Sequence, residues 1–179
     1  MEDISIGEVT KRAHCNRGTF YYYFTDKYDL LERVVHECLP MSIPQLMLSI
    51  ALDHGDMTYV YRAAEDNREA IDKLCILLNT SAAEDVRGHA REAVAALWRE
   101  MLAIDVTDNA DATILFEFFV NGLLGVLAYR GRVGCKLDIA TCTRTLAPEI
   151  PEAILKCIER CGGHAADMLQ VSPKGLLRD

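Results

Sequence analysis

The chain has no excess of positive charge. Its 179 residues carry 19 Lys and Arg against 27 Asp and Glu, a formal net charge of −8. A chain this acidic cannot hold nucleic acid through bulk charge alone. It also lacks any uninterrupted apolar run of 18 residues. The nearest candidate, Ile114 to Tyr129, contains Glu117 and Asn121, which argues against a membrane span. The seven cysteines are odd in number and follow no regular framework, and no secretory leader pattern opens the chain. Reduced thiols in the cytoplasm are the expectation. Catalytic patterns are missing too: there is no Ser-His-Asp order, no phosphate loop and no paired-histidine zinc motif among five scattered histidines. Neither an enzyme nor a cofactor is expected. Cys157, Cys161 and His164 share a metal-like spacing, but Gly162-Gly163 interrupts them and a fourth ligand is wanting, so no metal is expected. Cys135 and Cys142 flank a predicted turn, with only Lys136 nearby to activate a thiol.

What is present is helical punctuation, densest over residues 5–27. Ser5-x-x-Glu8 is a capping box opening a helix whose apolar positions Ile6, Val9 and Ala13 share one face. His14-Cys15-Asn16 makes a tight turn, and Asn16 caps a second helix in which Phe20 and Phe24 turn inward. Arg17, Gly18, Thr19, Tyr22 and Tyr23 are thereby left toward solvent. This is the pattern of a helix-turn-helix. Arg17 suits guanine or a phosphate, and Gly18 lets a backbone approach closely. Thr19, Tyr21, Tyr22 and Tyr23 carry hydroxyls for phosphates. Lys27 and Ser5 stand at helix starts, where free amides favour an anion. Lys11 and Arg12 add to a local basic face.

The segment resembles the DNA-binding domain of the TetR/AcrR family of transcriptional regulators. The resemblance runs through Ala13, the turn His14-Cys15-Asn16, then Arg17-Gly18-Thr19-Phe20-Tyr21-Tyr22-Tyr23-Phe24 and Thr25-Asp26-Lys27 leading to Leu30-Leu31. It covers about a fifth of the chain. It implies a homodimeric regulator, a repressor, reading a palindromic double-stranded operator and answering a small-molecule effector. The family's reading head has three helices, whereas this chain opens at Met1-Glu2-Asp3-Ile4, at the start of the second. The expectation is a head incomplete at its amino terminus. Residues 1–39 are assigned to the head and connecting helix, 40–169 to a regulatory and dimerisation domain, and 170–179 to a loose tail. The alternative from another class is a truncated dimeric small-molecule-binding or interaction module without DNA binding.

Beyond the head the chain reads as helix after helix. Residues 27–39 form one that Pro40 and Pro44 end, followed by segments near 44–52, 57–66, 68–79, 83–103, 110–130, 137–146 and 151–161. No strand alternation or repeat is visible. The fold class is therefore all-α, a helix-turn-helix followed by a helical bundle. The segment 110–130 is apolar nearly all round, which demands burial in the domain centre, in an oligomer interface, or in both. Phe118, Gly122 and Val126 on it, with Ile154 and Ile158 on the last helix, are the expected dimer seam, in keeping with the family's four-helix interface. The family's effector pocket would be lined by Trp98, Met101, Phe116 and Phe119, with Tyr59, Tyr61 or Cys75 opposite.

Overall fold

A computed structural model of the protein describes residues 4–53, 56–134 and 136–162. Among these there are ten α-helices, one short 3-10 turn and no strand. The amino-terminal helices are α1 (Ile6–Arg12), α2 (Arg17–Tyr23) and α3 (Lys27–Cys38). The rest of the fold comprises α4 (Ser42–Asp53), α5 (Thr58–Asp66), α6 (Arg68–Leu77), α7 (Ala83–Leu102), a 3-10 turn (Val106–Asp108), α8 (Ala110–Arg132), α9 (Ile139–Leu146) and α10 (Ile150–Arg160). The all-α expectation holds, with helix ends close to those read from the caps. One boundary differs. Pro44 does not terminate anything; it lies in the first turn of α4, where a missing amide donor costs nothing.

Three buried clusters organise the helices. Leu31, Val35 and Cys38 of α3 pack with Leu74, Leu78 and Val86, which seats α3 on α6 and α7. Leu48, Trp98, Phe116 and Ile158 belong to a second cluster, where α4, α7, α8 and α10 meet. Ala64, Ile71, Cys75, Ile139 and Cys142 make the third, under α5, α6 and α9. Helix α8 runs through the middle, against α6, α7, α10 and the 3-10 turn. By length and composition alone it is also the one described helix apolar enough to cross a membrane.

The contact of α6 with α8 is unusually close. A Cβ built on Gly131 would stand 2.3 Å from the carbonyl oxygen of Cys75 and 2.5 Å from the Asn79 side chain. Only glycine lets the two backbones meet there. Asn79 donates from its amide nitrogen to the carbonyls of Cys75 and Ala128, both at 2.8 Å, and so ties the helices together. Beside it, Arg130 is 1 % exposed. Its guanidinium donates to Asp72, to the Leu137 carbonyl at 2.8 Å and to the Cys75 sulfur at 3.5 Å. Burial works against its charge, but Cys75 and Asp72 more than offset this and hold its pKa above the ordinary arginine range.

Candidate nucleic-acid interface and body cavity

The capping box that opens α1 is complete. The Ser5 hydroxyl accepts from the Glu8 amide at 3.2 Å and donates to the Glu8 carboxylate at 2.8 Å, while the Ser5 amide donates to the same carboxylate at 2.9 Å. Helix α1 buries Thr10 rather than the face of Ile6, Val9 and Ala13: Ile6 and Val9 are half-buried and Ala13 is exposed. Thr10 satisfies its hydroxyl on the Gly7 carbonyl at 3.2 Å, so a polar side chain turns inward without loss. The turn then passes through His14 in the left-handed region, at φ 52°. Asn16 accepts from the Thr19 amide at 2.7 Å to start α2.

Helix α2 is anchored on one side and bare on the other. Phe20 is 4 % exposed, with Phe24 against it at 5.4 Å between ring centroids. Tyr22 is 81 % exposed, and Tyr21 and Tyr23 are each 57 % exposed. Arg17 is exposed beside them, its guanidinium lying over the first turn of α1 within reach of Gly7. An anchored phenylalanine pair therefore fixes the angle at which an arginine and three tyrosines face solvent. Such a ridge offers hydrogen-bond donors and flat apolar area to a groove and its phosphates.

Four of the residues expected at the interface have local partners here. Gly18 has a local reason to be glycine, since a Cβ there would press to 3.1 Å against the capping oxygen of Asn16. Thr19 already donates its hydroxyl to that same oxygen at 3.2 Å. The expected phosphate site at the start of α3 is occupied from within: Asp26 accepts from the amides of Tyr28 and Asp29 at 2.7 and 2.9 Å. Lys27 instead reaches back to the Ile4 carbonyl at 3.4 Å and over the Tyr28 ring at 5.4 Å, linking α3 to the start of α1. Likewise Ser5 has its amide and hydroxyl engaged with Glu8. Asp26 was missed as a structural residue, although an Asp before a helix start is the ordinary signal for a cap.

These caps carry a pH dependence. The Ser5 backbone and hydroxyl bonds hold Glu8 below its usual carboxylate value, and bonds from Thr25 and Arg33 do the same for Asp29. A carboxylate depressed in the folded state stabilises it above the unfolded pKa, and that contribution disappears as pH falls through the folded one. Acid is therefore expected to loosen the head first at these turns, below about pH 4. Amide chemical shifts of Ser5 and Thr25 followed from pH 6 to pH 2 check this; in Glu8→Gln the Ser5 shift should become flat over that range.

The second feature is a cavity of about 230 Å³ at the junction of the three buried clusters. Trp98, Phe116 and Phe119, three of the residues expected at an effector pocket, line it. Trp98 stacks edge-on to Phe116 at 5.4 Å. Met101 packs on the neighbouring core instead of lining the cavity. Opposite stand Val60 and Ala64, not the residues expected: Tyr59 points outward at 51 % exposure, Tyr61 packs on the core and Cys75 is fully buried beside Arg130.

The expected dimer seam divides. Phe118 is 70 % exposed, and Gly122 meets nothing within 4 Å. Ile154 and Ile158, by contrast, are 6 % and 0 % exposed inside the protomer core, against α4 and α8. The amphipathic stripe of α10 is consumed within the chain. Val126 is half-buried on the cavity wall. Among the described residues no group of three or more His, Cys, Asp or Glu is placed to hold a metal. His164 and Cys135 lie outside the described residues.

Among the described residues, two short helices joined by a capped turn, the second exposing an arginine and three tyrosines, have the geometry of a helix-turn-helix. Residues 1–34 match the family model described as bacterial regulatory proteins, tetR family. Over those residues the chain is similar to the amino-terminal region of that family's regulators. No curated protein and no solved structure matched the chain.

Proposed function

We propose that the protein is a cytoplasmic, ligand-responsive repressor and not an enzyme, with residues 1–39 as reading head and connecting helix and 40–169 as regulatory and dimerisation domain. The carrying observation is the exposed ridge of Arg17, Tyr21, Tyr22 and Tyr23 on a helix whose inner face is fixed by Phe20. Two such ridges in a homodimer address two half-sites of a palindrome one DNA turn apart, about 34 Å, or a multiple of it. The acidic remainder of the chain suppresses contacts elsewhere, so binding depends on the local face. A salt series of fluorescence binding assays on the DNA upstream of its gene tests this. Site-specific binding that weakens with salt supports the reading. Binding to no duplex, by ligand-free protein, favours a dimeric small-molecule-binding module in its place.

The dimer surface proposed is the outer face of α8. Ile114, Phe118 and Tyr129 are 66 %, 70 % and 51 % exposed there, and Gly122 and Gly125 have open space in front of them. Apolar side chains at this spacing along one helix, interrupted by glycines, suit close approach of a second copy. Phe118→Glu is expected to weaken dimerisation by about 30-fold or more, as truncation of a central interface aromatic does. Sedimentation velocity across a dilution series reads the shift. Because Phe118 is exposed in the protomer, helical content stays unchanged.

A further inference from the structure

The walls of the cavity restrict what can enter it. None of its lining residues is charged, and its surface is almost entirely carbon. The polar side-chain atoms it contains are few and already committed. The Thr143 hydroxyl donates to the Ile139 carbonyl at 2.8 Å, which leaves it only as an acceptor. Burial pushes the Cys142 thiol up and the Cys157 thiol up to about 11, so both stay neutral. Among the described residues no buried side-chain nitrogen or oxygen lacks a partner, so no orphaned group waits for a polar ligand. A carboxylate, phosphate or ammonium entering here would lose its hydration and gain nothing. The volume, about 230 Å³, is roughly half as large again as the ~150 Å³ apolar cavity known to take up benzene.

We propose that this cavity binds an uncharged, hydrocarbon-like molecule of about eight to ten carbon atoms, bearing at most one hydroxyl, which Thr143 accepts. The effector of the repressor reading would thus be a neutral apolar compound, and the proposal rests on that reading for its biological role. The position gives the ligand a route to the head. Leu39 and Pro40, immediately after α3, form part of the wall, so an occupant packs against the exit of the helix that Asp26 caps and Lys27 opens.

The test uses the full chain and three probes of one chain length: 1-octanol, octanoate and octylammonium. Trp98, the only tryptophan, stands on the cavity wall and reports occupancy without DNA. The expected result is that 1-octanol binds and shifts the tryptophan emission, while both ions bind at least ~30-fold more weakly. Filling the cavity from two sides, with Val120→Phe on α8 and separately Leu146→Phe on α9, should weaken 1-octanol binding about tenfold or more. Thermal melts of both variants confirm folding, and either one suffices if the other fails to fold. Octanoate or octylammonium binding as tightly as 1-octanol, no binding of 1-octanol, or unchanged binding in the folded filled variants would overturn the proposal. Operator binding is measured separately on ligand-free protein. Octanol binding without DNA binding therefore removes the repressor reading alone, and the reverse removes only the ligand assignment.

Discussion

Arg17→Ala or Tyr22→Ala is expected to cost operator binding roughly 5- to 150-fold for each reading head, the usual worth of a direct contact. Melting temperature should barely move, because both side chains are solvent-exposed and surface changes fall within about 0.5 kcal/mol. The form of the loss separates two roles for Arg17. A base contact relaxes specificity at one operator position. A phosphate contact weakens all sequences alike and lowers the salt slope by about one. A large drop in stability for either variant would mean that these side chains support the fold and do not face DNA. Phe20→Ala is the contrasting control, since it removes the anchor and should lose binding and folding together.

The largest stability effect is expected at Arg130. Arg130→Met removes a buried cation and strands the Leu137 carbonyl, while Asp72, 36 % exposed at its side chain, stays partly hydrated. A loss of about 3 kcal/mol follows. For a chain of this size that is a fall of roughly 6–12 °C in melting temperature. Arg130→Lys should recover only part of it, because an ammonium cannot fork between Asp72 and Leu137. Asp72→Asn keeps an acceptor and should cost less than Arg130→Met. Thermal unfolding followed by circular dichroism ranks the three; a shift below about 2 °C for Arg130→Met would show that the guanidinium does not hold α6 to α8.

The head was legible because its signals are local. Ser5 with Glu8, Asn16 before α2 and the Phe20–Phe24 spacing each act within one helical turn, so the sequence alone places them. The same locality explains most helix ends. What escaped was tertiary. The stripe of Ile154, Cys157 and Ile158 marks burial correctly but not the partner, and α4 and α8 of the same chain take it. Arg130 looks like an ordinary cation near a helix end, and only the fold brings Asp72 and Cys75 to it across more than fifty residues. The start of α3 hid a competitor for a related reason: Asp26 accepts from the Tyr28 and Asp29 amides that a phosphate would use.

Gly131 has a mechanical consequence. Where two helices touch through side chains, rotamers give and the pair slides; where backbone meets backbone, as at Gly131 and Cys75, there is nothing to repack. With Asn79 stitched across the same point, α6 and α8 are joined rigidly there. Helix α3 packs on α6 as well as α7, and the cavity is walled by α8, so the joined pair extends from the cavity to α3. A displacement of α8 at the cavity is therefore expected to carry α6, and α3 seated on it, instead of being taken up by side-chain repacking.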